Sequence, residues 1–235
     1  MAEWEDYLLP GTNVLKNNYG ITSPDELKRL EEEKGESFNV MVPDCYDGYN
    51  VLPMLLRNKK VDCYETNDVL LNGGTIDGFY TIGLKQKVNN YNLNRKVNIY
   101  KKNFYTTRIE KEYDYVYCYR SLHLDRNKDI RMEVKIRKLL SSVKFGGYVY
   151  IFYYMADDEK NFEKYPKDRY LRSREMRKYL DLSKWDIIYN IEGHSRIHGP
   201  HPYHKAKHYH KTGVILAKKK NLRKKIIHRY IYTIH

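Results

Sequence analysis

The sequence predicts an α/β chain built on a mostly parallel sheet of seven strands with an antiparallel strand at its edge. Two observations carry that expectation. Short apolar runs alternate with segments whose apolar residues recur at helical spacing, and each segment is long enough to cross from one parallel strand to the next. The stretch from Phe38 to Glu65 also reads as a strand, a turn, a helix and a second strand ending on an acid. That is the opening βαβ unit of a Rossmann-like sheet, in which ligands bind beyond the carboxyl ends of the strands.

Within this stretch Phe38, Val40, Met41 and Val42 form the apolar run of a strand buried on both faces. Pro43-Asp44-Cys45-Tyr46-Asp47-Gly48 combines a strand breaker, two carboxylates and a glycine, and Val51, Leu52, Leu55 and Leu56 then follow helical spacing. Val61 to Glu65 is the second strand. Its terminal carboxylate is placed either to accept hydrogen bonds from a ribose diol or simply to end a strand at the surface. A dinucleotide fingerprint needs three glycines so that backbone can approach a pyrophosphate, and only Gly48 is available, which argues against NAD. A ligand without phosphates, such as S-adenosylmethionine, places weaker demands on that turn.

Upstream, Trp4 to Ile21 reads as a docked arm. Ser23-Pro24-Asp25-Glu26 starts a helix with a capping serine, a proline in the first turn and a glutamate three residues on, and the helix should run to about Lys34 and stop at Gly35. Downstream, a helix is expected from about Asp77 to Tyr91, a third strand at Val97 to Tyr100 and a fourth at Tyr113 to Tyr119. Ile130, Val134, Ile136, Leu139, Leu140 and Val143 mark a helix closed by Gly146-Gly147, and Tyr148 to Met155 is the fifth strand. The charged segment 156–172 suggests a loop or lid, and Ser173 to Leu180 a short helix. Trp185 to Tyr189 and Thr212 to Ala217 then close the sheet as an antiparallel pair joined by a His-rich loop. The organisation expected is an N-terminal arm and capping helix over 1–37, one Rossmann-like domain over 38–219 and a basic tail over 220–235.

With 235 residues, 41% of them hydrophobic, the chain can bury a full core. It holds no apolar run of the roughly 18–20 residues that span a bilayer, and the start MAEWEDYLLP lacks the features of a signal peptide, so a cytoplasmic protein is expected. Cys45, Cys63 and Cys118 all fall in or beside expected strands, which argues against a disulfide framework. The net charge of +13 favours polyanionic partners, or serves solubility alone.

With its elements in this order, the chain over roughly Phe38 to Lys219 resembles the class I S-adenosylmethionine-dependent methyltransferases, and most closely the tellurite-resistance type. In that type the first loop reads approximately Leu-Gly-Cys-Gly-x-Gly-Arg-Asn; Cys45, Gly48 and Asn50 match, while Asp44 and Tyr46 stand where the first two glycines do. The resemblance implies the class I methyltransferase fold, S-adenosylmethionine as cofactor, and a site made of Asp44, Cys45, Asp47, Gly48 and Asn50 from the first loop with Glu65 on the ribose. Asn103 and Phe104 would bracket the adenine, and Tyr117 and Tyr119 would stand where the fourth strand meets the cofactor. Trp185 to Glu192 followed by His198 resembles the stretch before the type's last strand, and Ile215 to Lys219 resembles its ending.

Methyl transfer from a sulfonium is an in-line displacement, so a protein must mainly align the nucleophile and, where that is weakly acidic, remove its proton. Glu192 and His198 are the candidates for the second task, with His123 another. The histidines from His194 to His210 also suit a transition metal, but without cysteines or tight paired spacing no metal site is expected, and a solvated loop explains them as well. The tail beyond Lys219 fits nucleic-acid phosphates, an amphipathic helix on the domain or on anionic lipid, or a solvated charge run. Two functions follow: a methyltransferase of unassigned acceptor, small molecule or RNA, and a methyltransferase-fold protein without catalysis that serves as a nucleic-acid-binding or accessory module.

Overall fold

The computed structural model describes residues 30–35, 38–76, 79–156, 169–194 and 211–221, in two compact units that divide after Thr107. The expected arm, the serine cap at Ser23, the segment 157–168, most of the His-rich loop and the tail beyond residue 221 lie outside the described residues.

In the first unit residues 30–34 are helical, and Gly35 ends them with a φ of +77° as its amide donates to the Glu31 carbonyl. Strand β1 (Asn39–Val42), helix α1 (Leu52–Leu56) and strand β2 (Lys60–Tyr64) form the expected βαβ unit. β2 pairs in parallel with β1, Val40 opposite Val61, and on its other side with β5 (Val97–Tyr100), Val61 opposite Val97. Val40, Met41, Val42, Val61 and Cys63 are buried, as a strand covered on both faces requires.

Between β2 and β5 the chain departs from expectation. A short helix α2 (Asp68–Asn72) is capped by Asn67, whose side chain accepts from the amides of Val69 and Leu70. β3 (Gly74–Ile76) and β4 (Phe79–Thr81) then form an antiparallel hairpin, and helix α3 spans only Leu84–Asn90. The helix expected from Asp77 therefore starts seven residues late. Its first part is rich in aromatic and β-branched residues, which favour paired strands, and Gly83 with the Gln86 side chain accepting from its amide supplies the true helix start.

The second unit orders its strands β6 (Tyr113–Cys118), β7 (Val143–Met155), β10 (Lys211–Lys219) and β9 (Trp185–His194). β6 and β7 are parallel, and β10 runs antiparallel to both β7 and β9. With three strands in the first sheet section and four here, the seven expected are present; two-residue β8 (Tyr170–Leu171) adds to the end of β7. Helix α4 spans Met132–Ser141. Gly146-Gly147 does not close it: these residues lie in a bulge of β7 where the register against β6 shifts, with Gly146 at φ +71°. Residues 175–179 form a 3-10 turn rather than an α-helix. β9 also runs past Tyr189, because its ladder with β10 continues through Glu192–Gly213 to His194–Lys211, so Glu192 sits on a strand and not in the loop.

Tyrosines fill much of this core. Tyr113, Tyr115, Tyr117, Tyr148 and Tyr153 are among the largest fully buried side chains. All three cysteines are buried and free, and no helix among the described residues is long and apolar enough to cross a membrane.

Candidate cofactor site

The candidate site of the first unit lies where β1, β2 and β5 end. After Val42 the chain turns through Asp44 at φ +48°, Tyr46 at φ +53° and Gly48 at φ +87°. Left-handed backbone at alternate residues turns amides toward one side, a geometry that suits a nearby acceptor or ligand. Asp44 and Tyr46, which stand at the positions of the type's first two glycines, thus keep a glycine-like conformation without glycine's freedom. The loop closes with the Cys45 amide on the Tyr64 carbonyl (3.0 Å) and the Gly48 carbonyl accepting from Val51 and Leu52 at the start of α1 (2.9 Å each).

Glu65 follows β2 and is fully buried. Its Oε2 accepts from the Tyr46 amide at 3.1 Å, and its Oε1 from Thr66 and Asn67 amides at 2.7 and 2.9 Å. The carboxylate therefore ties the first loop to the end of β2. Asp47 is held too: its Oδ1 accepts from the Tyr49 amide at 3.3 Å and its Oδ2 from Nζ of Lys87 on α3 at 2.5 Å. Lys87 is 3% exposed, and burial pulls its ammonium below the usual lysine range although Asp47 opposes the shift. Cys45 and Cys63 are buried together; burial, and then each other's proximity, push the Cys45 thiol well up, so it is no thiolate at neutral pH.

Beyond β5, Asn103 Oδ1 accepts from the Tyr105 amide at 2.8 Å and its carbonyl accepts from Thr107 Oγ1 at 2.7 Å. Phe104 is buried edge-on to Tyr64, which stacks on Tyr100. All eight first-unit candidates, Asp44, Cys45, Asp47, Gly48, Asn50, Glu65, Asn103 and Phe104, thus follow the carboxyl ends of parallel strands. Lys87 escaped the sequence reading. The signal was a lysine three residues after Leu84 in the apolar spacing Leu84, Lys87, Val88, where all three are buried.

In the second unit Tyr117 is buried between Tyr119 and Tyr150, and Tyr119 packs on Phe152 with the Arg120 guanidinium over both rings. His123 meets the Tyr154 ring edge-on, with centroids 4.1 Å apart. Glu192 accepts from the Tyr153 hydroxyl (3.0 Å), from Ser173 Oγ (2.7 Å) and from the Arg174 amide (2.9 Å). His198 lies outside the described residues. Among the described residues no cluster of three or more His, Cys, Asp or Glu is arranged to hold a metal ion.

Two features of the first unit fit a cofactor such as S-adenosylmethionine, and one sets a condition on it. The loop keeps its left-handed turns, and Asn50, 4% exposed, has a buried Oδ1 with no hydrogen bond among the described residues, an acceptor in need of a donor. The condition concerns Glu65, whose burial obliges a ribose diol to share Oε2 with the Tyr46 amide or to displace it.

No family model matches the chain, and no curated protein matches it. Solved structures do. TehB from Haemophilus influenzae superposes with a TM-score of 0.61 at 18% identity, covering 83% of this chain and 62% of TehB, so the chain spans less than two thirds of that protein. Burkholderia thailandensis 1,6-didemethyltoxoflavin-N1-methyltransferase, with S-adenosylhomocysteine bound, gives 0.53 at 11% identity over 89% of this chain and 82% of the enzyme. The magnesium protoporphyrin IX methyltransferase of Synechocystis gives 0.55 at 12% identity over 83% and 77%. At such identities the likeness is one of fold, and the chain has the α/β, Rossmann-like fold of class I S-adenosylmethionine-dependent methyltransferases.

Proposed function

We propose that the protein is an S-adenosylmethionine-dependent methyltransferase. The observation that carries this reading is the first loop, whose left-handed backbone at Asp44, Tyr46 and Gly48 persists over Glu65 although two glycines are missing. Such conformations are unfavourable for non-glycine residues and persist only where the surroundings enforce them. In this reading Glu65 takes the ribose hydroxyls, Asn103 and Phe104 flank the adenine, and Asn50 offers its buried oxygen to a donor of the cofactor. Bound S-adenosylmethionine supplies an electrophilic methyl group. The chain's own task is then to align an acceptor, which for a weakly acidic nucleophile includes holding its proton. Glu192 serves in this reading to position the turn at Ser173 and Arg174, and proton removal falls to His198 or His123.

A second reading, a fold kept for binding without catalysis, draws on the closed state of Glu65 and on the +13 charge, with the tail over 220–235 tracking nucleic-acid phosphates. Calorimetric titration with S-adenosylmethionine and S-adenosylhomocysteine separates the two. Binding that weakens roughly ten- to a hundredfold in Glu65→Ala, as expected for loss of a charge-assisted hydrogen bond, supports the enzyme. No binding to the folded parent removes it and leaves the second reading.

A further inference from the structure

We infer that Lys87 is a positioning residue of the first loop: with Asp47 it clamps that loop into the left-handed course that glycines would otherwise provide. As a statement about cofactor binding this rests on the function proposed above; as a statement about the loop it does not.

The need for a clamp arises from the sequence of the loop. Asp44 and Tyr46 both adopt positive φ, where a Cβ crowds the following carbonyl and a single residue holds only if its neighbours over-determine it. Asp tolerates the region through its short polar side chain; Tyr has no such help. Besides the Cys45 amide on the Tyr64 carbonyl, side chains reach the loop from outside. Glu65 takes the Tyr46 amide from below, and α3 acts from the side with two residues of its first turns. Leu84 packs against Gly48 so closely that a Cβ there would stand 2.3 Å from its Cδ1, and three residues on, Lys87 bonds Asp47. A lysine with 3% exposure is costly unless paired, and its loop partner is Asp47 on the residue between Tyr46 and Gly48. Asp47 Oδ2 accepts from that ammonium at 2.5 Å, so the loop's course and the lysine's charge are coupled.

Two backgrounds test the coupling: the parent, and Asp44→Gly/Tyr46→Gly, whose loop regains glycines. In each, Lys87→Met is compared with Lys87, with Asp47→Asn as the milder variant should Lys87→Met fail to fold. Affinity for S-adenosylhomocysteine and the urea midpoint are both read. In the parent, Lys87→Met is expected to weaken binding about tenfold or more, the scale of a lost charge-assisted bond. With glycines restored, the loss should shrink to less than about threefold, and the midpoint shift should shrink with it. Smaller effects in the glycine background, in either readout, support the clamp. If the parent binds no S-adenosylhomocysteine, the proposed function fails and the midpoints alone decide the clamp. Equal effects of the substitution in both backgrounds, in every readout obtained, overturn it.

Discussion

Tyr153 on β7 and Glu192 on β9 meet hydroxyl to carboxylate at 3.0 Å although β10 runs between their strands. The crossing is possible because Gly213 on β10 pairs with both residues and has no side chain: a Cβ there would stand 2.2 Å from the Tyr153 ring. The phenol lies across the glycine, and its hydroxyl also reaches Asn190 Oδ1 at 2.9 Å. The same Glu192 carboxylate holds Ser173 and Arg174, the latter at φ +61°. One acid thus joins β7, β9 and the turn after β8.

Glu192→Ala is accordingly expected to destabilise the protein by about 1.5–3 kcal/mol, since it removes a carboxylate that accepts from the Tyr153 hydroxyl, Ser173 Oγ and the Arg174 amide. Urea unfolding measures this directly. Unchanged stability combined with lost turnover would instead make Glu192 a residue of the chemical step.

The pH dependence of the pair has a definite sign. Burial, and then the Glu192 carboxylate, hold the Tyr153 phenol well above its ordinary value. A group whose folded pKa is raised contributes stability fully present below its unfolded value, about 10, and loses it as pH climbs beyond that. Tyr153→Phe should therefore cost stability at pH 8, and the gap to the parent should narrow above pH ~10. The remaining tyrosines titrate in both proteins, so the comparison isolates this one. Curves that stay parallel to pH 11 would remove the assignment.

The same rule applies with opposite sign at Glu31. Burial raises its carboxyl, but the hydrogen bonds from Arg57 and Lys59 outweigh burial and leave it below the usual range. Lys59 is fully buried, 3.0 Å from Glu31 and with its ammonium over the Phe38 ring. Glu31→Gln leaves that ammonium without its carboxylate and should cost about 2–4 kcal/mol at pH 7. Because the folded pKa is depressed, the Glu31 contribution exists above the unfolded value and is lost as pH falls through the folded one, so parent and variant should converge in acid. Equal urea midpoints at pH 7 would show that the ion pair contributes nothing.

Much of this was legible in the sequence, for reasons that also explain what was not. β1, the first loop and β2 announce themselves because a buried strand needs an apolar run and each run here ends on a turn or an acid, while β5, a partly exposed strand at the end of the sheet, shows through its β-branched and aromatic residues. The left-handed turns at Asp44 and Tyr46 were not legible, because neither residue type prefers that conformation and it is imposed by contacts from β2 and α3. Lys87 was hidden for a related reason, since a charged residue on an apolar spacing reads as solvent-exposed unless its partner, 40 residues earlier, is known. The Tyr153–Glu192 bond depends on strand order and register across β10, which local patterns do not carry. Gly146-Gly147 misled because a glycine pair ends a helix and makes a bulge equally well.

The loop and α3 meet most tightly at Gly48, and that contact separates two reasons for the glycine. Its φ of +87° strains any L side chain, and an added Cβ would also strike Leu84, which is fully buried. Gly48→Ala should cost about 2–4 kcal/mol, combining backbone strain of roughly 1 kcal/mol with overpacking of about 1–3 kcal/mol. Leu84→Ala alone should cost about 2–5 kcal/mol through the cavity it opens. In the double variant the new methyl enters the space that Leu84 vacates, which relieves the clash and leaves the strain. The two costs should therefore sum to more than the double variant shows, by about 1–2 kcal/mol in a urea double-mutant cycle. Strict additivity would mean that Leu84 yields freely to a methyl group at position 48, and that the glycine is required there by backbone conformation alone.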